Sequence, residues 1–143
     1  MAIETVDSFN IVHADADRIE QGYVTEFDSF DCTISMSDDY ADNSFVLSMP
    51  IAIWEAHQIL KGHYIYIPGT EYGGRVGRVR SVANEMVEIE GYTARGWMSK
   101  WLVHPATGDD YFVLPDTEAN AAIALIAQGR LTDYFSVSSE NSG

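Results

Sequence analysis

The segment that most constrains the chain is RVGRVRSVANEMVEIEG, residues 75–91. Folded about a turn at Ala83–Glu85, it sets Arg80 opposite Glu88 and Arg78 opposite Glu90 on one face. The other face then pairs Val79 with Ile89 and Ser81 with Val87. Opposite charges directly across an antiparallel ladder stabilise by about 0.2–1 kcal/mol each. A slip of one residue would turn those charges toward the core, so the register is well specified. Any fold for this sequence contains this hairpin, with a charged face and an apolar one.

The segment DCTISMSDDYADNSFVLSMP supplies a second hairpin pattern. Folded about Asp38–Asn43, it pairs Cys32 with Met49, Ile34 with Leu47 and Met36 with Phe45 on an apolar face. Thr33 meets Ser48 and Ser37 meets Ser44 on a polar face, where Val46 is the exception. Pro50 then opens IAIWEAHQILKG. Its Ile53, Ala56, His57 and Leu60 follow helical spacing, and Gly62 marks the exit. HYIYIPG reads as a strand and TEYGG as a glycine-assisted loop. Before the first hairpin, residues 1–18 are polar and acidic, with at most one short strand around Phe9 to Val12.

After the charged hairpin, EIEGYTARGWMSKWLVHP leaves a strand through Gly91 and enters a helical pattern. Ala94, Trp97, Met98, Trp101 and Leu102 form one stripe, and Pro105 stops the run. The stripe predicts that Trp97 and Trp101 are the buried side of a helix lying across a sheet end, near Val79, Ile89 or Leu47. A ligand-facing role is the alternative. Gly96 inside the helix costs about 1 kcal/mol against alanine and points to close backbone approach. DYFVLP predicts another strand. DTEANAAIALIAQG predicts a last helix, capped by Asp116 or Thr117, with Ala119, Ala122, Ile123, Ile126 and Ala127 as its apolar stripe. RLTDYFSV reads as a final strand.

Together these elements make an α+β chain. Its 143 residues suit one domain, which we place at 1–135, with 136–143 as a flexible tail or linker. The net charge of −14, from 22 acids against 8 bases, speaks against nucleic acid and anionic membrane surfaces as partners. Cys32 is the lone cysteine, so no internal disulfide forms, and its strand-like neighbours suggest a buried thiol. The N-terminal residues carry no signal-peptide pattern, and no apolar run is long enough to span a membrane.

The chemistry-bearing motifs are few. There is no GxSxG, Walker loop, GxGxxG, HExxH or CxxC, so no catalytic residue and no cofactor is assigned. His13, His57, His63 and His104 fall in different elements, and the six-residue spacing of His57 and His63 is not that of metal ligands. Each reads as a satisfied or exposed histidine. Asp38, Asp39, Asp42 and Asn43 form the richest oxygen cluster and are a weak calcium candidate. The EF-hand order, central glycine and closing glutamate are missing, and a polar hairpin loop is the simpler reading. In Thr70 to Arg75, a glycine turn is likewise simpler than a ligand cradle. Glu85, Glu88 and Glu90 are better used in the hairpin than as an acid–base pair.

From Gly22 to Asn120 the order of elements resembles the siphovirus gene-product-37-like minor tail proteins, which are tail or baseplate hub components. Four segments carry the likeness: FVLSMP, ILKGHYIYI, GRVGRVRSV and IEGYTARGWMSKWLVHP. In the last, Lys100 and Trp101 stand where the family pattern has two arginines, and Trp97 and Met98 stand where it has leucines. The resemblance implies a β-rich, barrel-like antiparallel sheet of the hub-domain type, with two to three short helices on it. It also implies a structural protein of the virion tail, assembled in the bacterial host cytoplasm. Such a protein would act as a homo-oligomer or with other tail proteins, and not as an enzyme. Trp97, Trp101, Tyr72, Arg78 and Arg80 are then the interface or core candidates. An acidic subunit lining a tail lumen would not trap passing DNA. The other reading of the residues is a bacterial small-molecule or glycan-binding module, with or without hydrolysis. It rests on Tyr64, Tyr66, Tyr72, Tyr92 and Trp97, because aromatic surfaces stack on sugars and serve protein interfaces equally well.

Overall fold

The computed structural model describes residues 9–36 and 42–99. The chain divides between Trp101 and Leu102 into two units, and every described residue lies in the first. The expected spans 1–135 and 136–143 reach beyond the described residues, as do Trp101 and the strands and helix expected after Pro105.

The described residues form seven strands and two short helices. In chain order these are β1 (Ile11–Ala14), β2 (Glu20–Val24), β3 (Ser29–Cys32), β4 (Ser44–Pro50), α1 (Ile51–His57), β5 (Tyr64–Tyr66), β6 (Gly73–Val82), β7 (Met86–Thr93) and α2 (Ala94–Met98). The strands make one sheet in the order β2-β1-β5-β6-β7-β4-β3. Each pairing is antiparallel. The protein is therefore β-rich α+β, as expected. The sheet is not closed into a barrel: β2 and β3 are its two edges.

The charged hairpin takes the expected register. Arg78 pairs with Glu90, Arg80 with Glu88, Val79 with Ile89 and Ser81 with Val87. Asn84 and Glu85 make the turn in left-handed conformation, at φ 63 and 56°. The Glu85 carbonyl accepts the Ile51 amide at 2.8 Å, which ties the turn to the start of α1. A register shift at Gly77 lets Arg75 return to the charged face while Val76 enters the core.

The other hairpin differs from expectation by four residues. Cys32 pairs with Phe45 and Phe30 with Leu47, so β3 lies earlier in the chain than the pattern suggested. A shift of four keeps every side chain on its face, and alternation alone cannot forbid it. Packing decides: the Phe30 and Phe45 rings sit 6.2 Å apart. The Asn43 side chain then accepts the Ser35 amide at 2.9 Å and draws the chain off the ladder. Met36, expected in the apolar face, is exposed.

α1 is also shorter than its apolar spacing implied. Gln58 turns left-handed at φ 53° and ends the helix, so the exit is not at Gly62. This reversal drives Ile59, rather than Leu60, into the core, and Trp54 Nε1 donates to the Ile59 carbonyl at 2.8 Å. Gly73 and Gly74, expected in a loop, begin β6 instead. A Cβ on Gly73 would overlap the Ile65 backbone, and one on Gly74 would overlap that of Tyr92. Both glycines serve close strand approach at that end of the sheet.

Among the described residues the core is a single cluster. Ile11, Val24, Phe45, Leu47, Met49, Ile59, Ile65, Val76, Val87 and Ile89 form it, with Phe27, Phe30, Cys32 and Trp54 among the residues packed against it. Strict alternation in β4 and β7 places one residue in two on this face. α1 buries none of its own residues fully.

Candidate functional site

Two groups of side chains stand out, one on each side of the sheet. On the face opposite the core, Ala14, Tyr64, Arg75, Tyr92 and Ser44 lie in one cross-strand row over β1, β5, β6, β7 and β4. The next row carries Tyr23, Val12 and Tyr66. Antiparallel pairing puts directly opposite residues on the same face, which brings aromatic rings distant in sequence side by side. Tyr66 donates its hydroxyl to Glu20 Oε1 at 2.7 Å. Burial and that carboxylate push the phenol up to about 12, so it stays a donor at neutral pH.

Arg78 and Arg80 continue this face. Arg78 reaches Glu90 at 3.9 Å, and Arg80 bonds both Glu88 and, at 2.9 Å, Glu90. The guanidiniums are exposed, so each pair contributes little stability and chiefly fixes direction and register. Trp97 joins the same face, with the Arg75 guanidinium 5.3 Å from its ring centre. The expected packing of Trp97 against Val79, Ile89 or Leu47 is therefore corrected. Those three point to the core side, whereas Trp97 meets Arg75 on the other and is only half-buried. Ala94 and Met98 of the same stripe are exposed.

The buried residue of α2 is Gly96. Thr93 caps the helix, its Oγ1 accepting the Gly96 amide, and the Thr93 amide donates to the Asn43 carbonyl at 3.0 Å. A Cβ on Gly96 would overlap that carbonyl. Gly96→Ala is thus expected to destabilise, by about 1–3 kcal/mol, because overpacking outweighs the helix-propensity gain of about 1 kcal/mol. A lowered thermal midpoint checks this. A raised midpoint would mean that α2 is free to move away from Asn43.

Of the remaining candidates, Tyr72 is exposed in the turn before β6, where its amide donates to Thr70 Oγ1 at 3.1 Å. Glu71 in the same turn takes a two-pronged bond from Arg95 of α2, which lowers its carboxyl pKa. Asp38 and Asp39 lie outside the described residues, and Asp42 is exposed. Among the described residues, no group of three His, Cys, Asp or Glu is arranged to hold a metal ion.

The second group is one that local spacing does not reveal. His13 of β1 is 1% exposed, and its Nε2 lies 2.9 Å from Nδ1 of His63. The two ring planes lie within 20° of each other with centres 5.1 Å apart, so the rings meet edge to edge through that bond, and His57, the last residue of α1, meets His13 edge-on at 6.4 Å. β1–β5 pairing sets His13 beside Ile65, two residues after His63, so a separation of 50 in sequence becomes a contact. Burial first, then the neighbouring imidazoles of His63 and His57, push the His13 pKa down to about 4, against a smaller upward pull from Asp15. Cys32, half-buried beside the core, has its thiol pushed up by burial, which makes it a poor nucleophile.

No known family model, curated protein or solved structure matches the chain. Among the described residues, no helix is long and apolar enough to cross a membrane.

Proposed function

We propose that this chain is a structural subunit of a phage or prophage tail, of the minor tail or baseplate hub kind, that works by assembling with copies of itself and with other tail proteins. The tail assignment rests on the sequence resemblance, and the observation that carries assembly is the free edge at β2. This strand pairs only with β1 among the described residues. Beside it Ile19 is 61% and Tyr23 57% exposed. Unpaired strand edges flanked by exposed apolar side chains are templates for another chain, and monomeric proteins usually blunt them.

The path of the chain supports the barrel-like form of a hub domain. Only residues 25–28 separate the end of β2 from the start of β3. Five Cα steps reach at most about 19 Å, whereas the edges of a flat seven-stranded sheet would stand about 29 Å apart. A curled sheet satisfies that tether and lets one face enclose its own core. The aromatic and arginine side chains on the opposite face, Tyr64, Arg75, Tyr92 and Trp97, are residue types that anchor protein interfaces. The glycan-binding reading draws on the same rings. They lie on the face away from the core, and a sugar titration that quenches Trp97 fluorescence would favour that reading.

The test is a double substitution at the edge. Ile19→Lys with Tyr23→Lys places charge beside β2 and is expected to weaken self-association at least about tenfold while leaving the melting curve nearly unchanged. Association equal to that of the unaltered protein would remove β2 from the interface.

A further inference from the structure

We propose that the three-imidazole cluster of His13, His57 and His63 is a proton-sensitive latch, which holds α1 and the turn from Gln58 to His63 against β1 at neutral pH and releases them in acid. The latch does not depend on the tail reading.

The geometry allows one proton between His13 Nε2 and His63 Nδ1. At 2.9 Å one nitrogen donates and the other accepts. If both rings were charged, two N–H groups would face each other across that distance, and the bond would become a repulsion. The Nδ1 atom of His13 is also buried, with no hydrogen-bond partner. A charged His13 keeps neutral His63 as acceptor for Nε2 but carries a second donor, on Nδ1, into a place that offers it no acceptor. The groups facing it are His57 from α1, His63 from the connector and Asp15 just beyond β1. Its strand neighbours in register, Gly22 of β2 and Ile65 of β5, bring no charge. The Asp15 carboxylate is engaged in its own turn, accepting from the Asp17 and Ile19 amides and from Gln21 Nε2.

The element on the other side of the cluster is less deeply buried than the sheet. α1 buries none of its residues fully: Ile51, Ile53 and Trp54 pack half-buried against the core, the Ile51 amide donates to Glu85 at one end, and buried Ile59 follows just past the other. His63 is anchored from below, its carbonyl accepting the Val76 amide. Relief of a charged cluster is thus easiest by moving α1 and Gln58–Lys61 outward rather than by opening the sheet.

The sign follows from linkage. His13 has its pKa lowered from 6.5 to about 4 in the folded state, so the unfolded chain binds a proton first as pH falls. Stability from this group is complete above the unfolded value and is lost progressively down to the folded one. One proton makes the folding equilibrium constant fall about tenfold per pH unit between these limits.

The test combines titration with amide exchange in the full chain, in chelator-containing buffer. In the unaltered protein, amides of residues 51–63 are expected to lose protection between pH 6.5 and 4, after correction for intrinsic exchange, before those of β6 and β7. His13→Phe, which fills the site without a titrating group, is expected to remove about one proton from the slope of stability against pH. Should that variant fail to fold, His63→Gln provides the comparison, since it keeps a hydrogen-bond partner but removes one charge; it is expected to shift the His13 ring titration toward 6.5. Uniform loss of protection across the sheet would overturn the latch. So would an unaltered pH slope in His13→Phe, or an unaltered His13 titration in His63→Gln.

Discussion

Gly91→Val is expected to lower stability by about 3 kcal/mol or more. Gly91 sits in β7 opposite both Phe45 of β4 and Val76 of β6. A Cβ there would overlap the Arg75 carbonyl oxygen and stand 2.5 and 2.6 Å from Cζ and Cε1 of Phe45. The ring could swing away only by giving up its contact with Phe30, and the carbonyl could move only by shifting β6. Overpacking a well-filled core costs about 1–3 kcal/mol, and a branched side chain against backbone lies at or beyond the upper end. Chemical denaturation monitored by circular dichroism reads the loss. Combining the change with Phe45→Leu relieves the ring contact but not the carbonyl, so rescue should be partial. Wild-type stability in Gly91→Val would mean that β6 and β7 are not held at this distance.

Phe45→Ala is expected to lower stability by about 3–5 kcal/mol, the range for truncating a buried phenylalanine. That is a large share of the roughly 5–15 kcal/mol available to a domain. Phe45 is among the largest fully buried side chains, it meets Phe30 from β3, and it fills the space that Gly91 leaves. The same change removes the contact that selects the register of β3. With it gone, the pairing of Cys32 with Met49 loses its main competitor, because both registers keep Cys32 on the core face. A denaturation midpoint within experimental error of wild type would contradict this account of the core.

How much of the fold is legible in the sequence depends on how many independent signals agree. For β6 and β7, charge pairing, alternation and turn position point to one register, and the structure has that register. For β3 only alternation was available, and it does not distinguish shifts by an even number. β2 carries little signal at all: in EQGYV only Val24 is buried, as suits an edge strand. Gly96 was readable as a site of close approach, but its neighbour Trp97 was not readable as an outward residue. Helical periodicity reports which residues share a stripe, not which stripe faces the core. The histidine cluster was invisible for a different reason. His13 and His63 meet only because β1 crosses over to pair with β5, and no local spacing encodes that crossover. The outward row of Tyr64, Arg75 and Tyr92 is hidden in the same way, since each residue comes from a different strand.

The most direct measurement of assembly is the molar mass of the unaltered protein by light scattering over a hundredfold range of concentration. The chain has a mass of 15.9 kDa. Assembly through the β2 edge gives a discrete multiple of that mass, or a mass that rises with concentration toward one, and it falls back when Ile19 and Tyr23 are lysine. A mass of one chain at every concentration, with no tail protein bound on co-expression, would contradict the proposed function.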